Sequence, residues 1–80
     1  MKYVYLLESL QNPKRRYRGL TDDPGLRLLR HNAGEVPSSR PYRPWRLVVS
    51  LQFEDDDKAA AFEQYLKSGS GHAFAERRFW

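Results

Sequence analysis

The absence of cysteine from a chain of only 80 residues limits how this sequence can fold. Small folds often depend on disulfides or a structural metal, because a short chain buries only about 60% of its unfolded surface. Disulfide scaffolds, cysteine-ligated zinc fingers and thiolate nucleophiles are excluded, so stability must come from packing. Two Trp, five Tyr and four Phe make such packing possible. We expect residues 1–80 to form one domain.

Positive charge suggests the kind of partner. The formal net charge is +4, and ten of the fourteen cationic side chains are arginines. Because the planar guanidinium group binds phosphate bidentately, we expect a polyanionic partner such as nucleic acid. No apolar run reaches the roughly 18 residues of a membrane span, and the first residues lack the layout of a signal peptide. We therefore expect a soluble, cytoplasmic protein with no membrane association.

Three segments are typical of β-strands. Lys2–Glu8, Arg16–Leu20 and Trp45–Phe53 are rich in β-branched and aromatic residues, and Gln11-Asn12-Pro13 has turn chemistry. The first two segments therefore predict a hairpin with a wide loop, and the third is expected to pair with it. Alternation places the tyrosines of both hairpin strands on neighbouring positions of one face.

Three segments predict helices. Their expected spans run from the cap at Thr21-Asp22-Asp23-Pro24 to about Ala33, from about Lys58 to Lys67, and from about Gly71 to Arg77. The run Asp55-Asp56-Asp57 is interpreted as helix-start charge and not as a metal cage. The predicted fold is an α+β domain in which a three-stranded antiparallel sheet is flanked by about three helices, in the order β-β-α-β-α-α.

The first predicted helix presents two groups that could contact phosphate. Arg27 and His31 lie one turn apart on one face, whereas Leu26 and Leu29 point elsewhere and are expected to pack. A solvated helix face would explain the same Arg/His pair. Arg30 is interpreted as surface charge.

The second predicted helix carries a carboxylate at the edge of its apolar stripe. Ala59, Phe62 and Leu66 form that stripe, and Glu63 falls about 40° from Ala59. The carboxylate could face partly inward, or it could be an exposed acid paired with Lys67 at i,i+4. Periodicity does not separate these two interpretations.

The hairpin tyrosines also allow two interpretations. Tyr3, Tyr5 and Tyr17 could simply be core aromatics, as most strand tyrosines are. They also lie beside basic residues, and a phenol beside a cation can have a lowered pKa.

Taken in order, these motifs resemble those of the GIY-YIG nuclease family, particularly its small stand-alone bacterial members, over essentially the whole chain. Tyr3-Val4-Tyr5 stands in the place of the first motif and Tyr17-Arg18-Gly19 in that of the second. Tyr3 replaces the name-giving glycine, and Arg18 replaces an aliphatic residue, which puts the packing of that strand in question. The other matching residues are Thr21, Arg27, His31-Asn32, Arg43-Pro44-Trp45-Arg46-Leu47-Val48, Glu63 and Leu66-Lys67-Ser68-Gly69.

The resemblance implies a phosphodiesterase that depends on a divalent metal, Mg²⁺ or Mn²⁺. By position, Glu63 would hold the metal, Arg27 would stabilise charge on the phosphoryl group, and Tyr5 would activate the attacking water, assisted by Tyr17 and His31. Such a reaction requires cationic stabilisation of the phosphoryl oxygens. A single carboxylate suits Mg²⁺, because this ion keeps several waters and uses substrate phosphate for other ligands.

A DNA endonuclease is therefore the leading functional hypothesis, with a role in DNA repair or processing. So small a domain has little surface for reading many bases, so selection by backbone or shape is expected, and a protein partner could add specificity. The alternative is a nucleic-acid-binding module of the same fold that does not cut, and a structural protein without nucleic acid comes third. Backbone contacts would support either of the first two, although the same arginines could be ordinary surface charge: Arg15, Arg16, Arg40, Arg43, Arg77 and Arg78. His72 is expected in a Gly/Ser-rich turn, exposed to solvent or in contact with phosphate.

Overall fold

Three antiparallel strands form one sheet in the computed structural model, which describes all 80 residues. The elements are β1 (Lys2–Ser9), β2 (Arg16–Thr21), α1 (Pro24–Asn32), a 3₁₀ turn (Arg40–Tyr42), β3 (Trp45–Phe53), α2 (Asp56–Leu66) and α3 (Gly69–Arg78). The predicted α+β fold and the order β-β-α-β-α-α are confirmed, and the strand order in the sheet is β2-β1-β3. None of the helices combines the length and the apolar character needed to cross a bilayer.

The central strand, β1, decides which side chains share a face. Tyr5 pairs with Gly19 and Leu7 with Tyr17 across the β1–β2 ladder, so the hairpin tyrosines lie on one face as predicted. The β1–β3 ladder is shifted after Leu6, and this irregularity keeps the apolar side chains of both strands on matching faces.

Each face of the sheet buries its own cluster of apolar side chains. On one face, Tyr5, Leu7 and Trp45 form a core that includes Leu28 of α1. On the other face, α2 and α3 cover the sheet, and the buried residues are Val4, Leu6, Ala59, Leu66 and Ala75. A fully buried large apolar side chain contributes about 1.5 to 3 kcal/mol, so both faces contribute to stability. β1 is consequently buried on both sides.

Short polar side chains set where the helices begin. Asp23 accepts a hydrogen bond from the Leu26 amide at 3.1 Å at the start of α1. The Asp55 carboxylate accepts hydrogen bonds from the backbone amides of Asp57 at 2.8 Å and Lys58 at 3.2 Å. The aspartate run therefore caps α2 as predicted. α3 begins at Gly69, two residues earlier than expected, because Ser68 caps it.

The prediction that Leu26 and Leu29 pack against the core is wrong. Their exposed fractions are 46% and 67%, whereas His31 of the same helix is completely buried. Asn32 explains this orientation of α1. Its side-chain amide accepts from the Trp45 amide at 2.6 Å and donates to the Trp45 carbonyl at 3.0 Å, which ties the end of α1 to the start of β3.

Candidate active site

The absence of a side chain at Gly19 determines where the Tyr5 ring lies. Gly19 faces Tyr5 across the hairpin, and a Cβ atom placed there would overlap the ring and its hydroxyl oxygen. The ring therefore crosses β2, which is an edge strand of the sheet. The Tyr5 hydroxyl is carried in this way to the edge of the sheet.

Replacing Gly19 with alanine is expected to displace the Tyr5 ring and to lower the free energy of unfolding by about 1 to 3 kcal/mol, the usual cost of overpacking. Urea unfolding measures this change. Gly69→Ala is the matched control, because no atom lies within 4 Å of a Cβ at that position, and its effect should stay within about 1 kcal/mol. Equal unfolding of Gly19→Ala and the wild-type protein would contradict the close packing of Tyr5 against β2.

Four polar side chains form a continuous chain of hydrogen bonds. Arg27 Nε donates to the Tyr5 hydroxyl at 3.2 Å, and this hydroxyl lies 2.9 Å from His31 Nε2. On the other side of the imidazole, His31 Nδ1 lies 2.6 Å from Ser39 Oγ. β1, α1 and the segment before the 3₁₀ turn thus each contribute to a single site.

Aromatic rings surround the imidazole of His31. The Tyr17 ring meets it edge-on at 4.6 Å between centroids, and Tyr17 also stacks on Tyr5 at 6.2 Å. Trp45 packs edge-on against Tyr17 at 6.3 Å. These contacts hold His31 away from solvent, so the prediction that it offers a phosphate contact beside Arg27 is wrong, and only the half-buried Arg27 is accessible.

The surroundings of His31 keep it neutral. Its burial, and after that the positive charge of Arg27, lower the pKa of His31 to about 4. The hydrogen bond to Tyr5 raises the pKa of Arg27, so this guanidinium remains charged. At physiological pH the site therefore pairs a neutral imidazole with a permanent cation.

Burial has the dominant effect on Tyr5. It raises the pKa of the phenol. The Arg27 hydrogen bond acts in the opposite direction, and Tyr17 and, least of all, the negative charge of Glu63 add to the increase. The neighbouring cation Arg27 does lower the pKa of Tyr5, as expected, but burial outweighs it and the net change is an increase. The phenol keeps its proton in the resting protein, and any role in proton transfer requires an acceptor for that proton.

Glu63 satisfies both interpretations of the α2 pattern. Its exposed fraction is only 8%, and its carboxylate nevertheless pairs with Lys67 Nζ at 2.8 Å. Its negative charge acts on Tyr5 and adds slightly to the raised pKa of the phenol, although α2 packs on the opposite face of the sheet from the Tyr5 cluster. No group of three His, Cys, Asp or Glu side chains gathers anywhere in the structure, so Glu63 does not belong to a preformed cluster of metal ligands.

Three of the arginines expected to contact DNA lie around the 3₁₀ turn. Arg15 stacks on the Tyr42 ring at 4.5 Å. Arg40 Nε donates to the Gly34 carbonyl at 2.7 Å, and Arg43 Nε donates to the Arg40 carbonyl at 3.0 Å. All three side chains are exposed, and we call them the turn arginines.

Arg16 is separated from the turn arginines. It pairs with Glu8 at 3.7 Å and with Glu76, on the face of the sheet covered by α3. Its neighbour Arg18 lies 3.0 Å from His72 and 5.8 Å from the Trp80 ring. This stacking shows how β2 accommodates an arginine at an aliphatic position, and it places His72 within α3 and not in a turn as expected.

Ser39 belongs to the site but carries no sequence signal. It lies in a proline-flanked loop that belongs to no helix or strand, so no periodicity relates it to His31. Its hydroxyl is buried only because the loop folds back over α1. An unusual loop serine next to an aromatic cluster is the sole feature that could have drawn attention to it.

Comparison with known proteins identifies relatives of this chain. A family model described as the GIY-YIG catalytic domain matches residues 1–75. The "Structure-specific endonuclease subunit SLX1" of Candida dubliniensis is 37% identical over 82 residues, which covers 92% of this chain and 27% of that protein. The protein of the same name from Debaryomyces hansenii is 36% identical over 72 residues, covering 80% of this chain and 20% of that protein.

A third relative covers less of the chain. The "Structure-specific endonuclease subunit SLX1 homolog" of Giardia intestinalis is 40% identical over 50 residues, which is 59% of this chain and 14% of that protein. The chain thus spans about a quarter or less of the length of these curated relatives.

Proposed function

The chain belongs to the GIY-YIG family, and from this premise we propose that residues 1–80 form a nuclease domain that hydrolyses phosphodiester bonds in DNA with a divalent metal. The observation that carries the proposal is the contact of Arg27, Tyr5 and His31, with the negative charge of the buried Glu63 acting on the same phenol. This arrangement offers a fixed cation, a proton route and a carboxylate, which are the parts that phosphoryl transfer needs.

Arg27 binds the phosphoryl group in this mechanism. Its Nε donates to Tyr5, and the guanidinium has further N–H groups that can donate to phosphate oxygens. Because the bond to Tyr5 orients the guanidinium before substrate arrives, little reorganisation is needed as charge develops on the phosphoryl oxygens. Tyr17 supports the same arrangement by packing against both Tyr5 and His31.

Tyr5 and His31 act together to activate the attacking water. The Tyr5 oxygen accepts a proton from water while its own proton moves to His31 Nε2, which lies 2.9 Å away. This coupled transfer avoids a free phenolate, which burial disfavours. The negative charge of bound DNA raises the pKa of His31 from its value of about 4 and so favours the transfer.

Glu63 is the residue that would hold the metal. Its carboxylate pairs with the Lys67 ammonium at 2.8 Å, and hard carboxylate oxygens suit Mg²⁺ or Mn²⁺. One carboxylate is sufficient for an ion that keeps several waters, so the donor set fits. A metal bound there supplies Lewis-acid stabilisation of charge on the phosphate.

We further propose that the substrate is chosen by DNA shape and that a protein partner contributes to the choice. The relatives are named as subunits of structure-specific endonucleases, which supports both statements and a role in DNA repair. The turn arginines could hold the DNA backbone without reading bases. Arg16 is omitted from this surface because two carboxylates neutralise it. A cytoplasmic location stays a prediction.

Cleavage of nicked, flapped, branched and single-stranded oligonucleotides tests the proposal, with Mg²⁺, Mn²⁺ or EDTA present. We expect metal-dependent cutting, fastest on one branched or nicked shape, and no cutting in EDTA. Fluorescence anisotropy at several salt concentrations measures binding in parallel, and phosphate contacts predict affinity that falls as salt rises. Salt-sensitive binding by folded protein without cleavage of any substrate would favour the non-cutting binding module instead.

A further inference from the structure

The backbone of Ser39 is fixed by its neighbours on three sides. Its amide donates to the Val36 carbonyl at 3.1 Å, and its carbonyl accepts from the Trp45 indole at 3.0 Å and from the Tyr42 amide at 3.1 Å. The residue is 1% exposed. The backbone of Ser39 is therefore held in one conformation within an otherwise irregular segment. Its hydroxyl consequently has a fixed position beside His31.

The hydrogens of the buried chain can be assigned by asking which acceptors each donor reaches. Arg27 has only donors, so the Tyr5 oxygen accepts from it. The one acceptor within reach of the Tyr5 hydroxyl hydrogen is then His31 Nε2. A neutral imidazole carries its proton on the other nitrogen, so Nδ1–H donates to Ser39 Oγ at 2.6 Å. The Ser39 hydroxyl completes the series by donating to the Val36 carbonyl at 3.3 Å.

The opposite tautomer leaves a group without a partner. If Nε2 carried the proton, the Tyr5 oxygen would accept from both His31 and Arg27, and the buried Tyr5 hydroxyl hydrogen would have no acceptor in the protein. A buried donor without an acceptor is costly. The first arrangement pairs every donor, and it depends on an acceptor for Nδ1–H, which only Ser39 Oγ supplies.

We propose that Ser39 is a positioning residue of the reaction, which holds His31 in the Nδ1–H tautomer and so keeps Nε2 available to receive the Tyr5 proton. The catalytic consequence rests on the proposed function, whereas the tautomer does not. In the step itself, a water O–H bond breaks as a proton binds the Tyr5 oxygen, and the Tyr5 O–H bond breaks as Nε2–H forms. The hydroxide forms a bond to phosphorus as the P–O bond to the leaving sugar oxygen breaks, and that oxygen takes a proton from solvent water. His31 becomes an imidazolium whose Nδ1–H still donates to Ser39.

The tautomer is measured by NMR on protein with ¹⁵N-labelled histidine, in which protonated and unprotonated ring nitrogens have well-separated shifts. His31 is assigned by comparison with a His72→Asn variant. We expect wild-type His31 to show a protonated Nδ1 and an unprotonated Nε2. Ser39→Ala should shift the population towards Nε2–H, and Ser39→Thr should keep the wild-type pattern. Ser38→Ala is the matched control, because Ser38 is exposed. This variant should also keep the wild-type pattern of ring-nitrogen shifts.

Kinetics provide the second readout. Ser39→Ala is expected to lower kcat by about tenfold to a hundredfold without changing KM for DNA, as loss of a supporting hydrogen bond typically does. Ser39→Thr should recover most of the loss, and circular dichroism checks that each variant is folded. Protonated Nε2 in the wild-type protein, or a wild-type spectrum and rate in Ser39→Ala, would overturn the proposal. Absence of cleavage by wild-type protein would reject the proposed function, while the NMR comparison would still decide the tautomer.

Discussion

Replacing Glu63 with glutamine is expected to lower kcat for DNA cleavage by about 10³-fold, because it removes the buried carboxylate that we propose holds the divalent metal. Glutamine keeps the size of the side chain and leaves an amide oxygen, a much weaker ligand for Mg²⁺. The ion pair with the half-exposed Lys67 is worth less than about 1 kcal/mol, so the fold should survive the change. Cleavage and metal binding by isothermal titration are measured on the same protein.

The carboxylate also has an effect that does not require cleavage. Burial is the main cause of the raised pKa of Tyr5 and the negative charge of Glu63 is the smallest, so Glu63→Gln should move the Tyr5 titration only slightly to lower pH, which NMR of ¹³C-labelled tyrosine can follow. Glu54→Gln is the matched control, since Glu54 is exposed and precedes α2. Metal binding and cleavage at wild-type levels in Glu63→Gln would show that another group holds the metal.

The fold was largely predictable from the sequence because local signals agree with one another. Trp45–Phe53 was predicted with its observed bounds, since β-branched and aromatic residues run between a proline and an acidic turn. Asp23 and Asp55 mark the starts of α1 and α2 because helix capping is a local interaction. Agreement of this kind is typical of sequences that specify one structure.

The orientation of α1 was not predictable in the same way. Helical periodicity shows that Leu26 and Leu29 lie on a different face from Arg27 and His31, but it does not show which face meets the sheet. The contacts that decide this are nonlocal, and they join His31 to Tyr5 and Asn32 to Trp45. Polar side chains were therefore buried where apolar ones were expected.

The site shows the same division between local and nonlocal information. Arg27, Tyr5 and His31 were predicted as members of one site from their resemblance to family motifs, and the structure brings them into contact. Ser39 was missed because its role depends on how a loop without periodicity folds back. Arg16 was grouped with the other arginines because the sequence does not show that two acids face it.

The stability of the protein should fall in acid because His31 is buried as a neutral group. Its pKa is about 4 in the folded protein and about 6.5 in the unfolded chain. Between these values the unfolded chain binds a proton that the folded protein does not, so the free energy of unfolding decreases as the pH falls from about 6.5 to about 4. The full difference of about 2.5 units corresponds to about 3 kcal/mol. Above pH 6.5 this contribution is constant.

Urea unfolding at pH 7 and pH 4 measures how far the free energy of unfolding falls in acid. The His31→Gln variant separates the contribution of His31 to this fall from that of the carboxylates. The variant should be less stable at pH 7, because its amide cannot reproduce both ring contacts, but its loss on acidification should be smaller than that of the wild-type protein by about 3 kcal/mol. On acidification the free energy of unfolding of His72→Gln should fall as much as that of the wild-type protein, since His72 is exposed. The pKa values of Arg27 and Tyr5 are both raised, so Arg27 stays charged and the Tyr5 phenol stays neutral throughout this range, and His31 is the member of this hydrogen-bonded group whose charge changes. Equal losses in His31→Gln and wild type would mean that solvent reaches the imidazole in the folded state, and the buried proton route from Tyr5 would then be wrong.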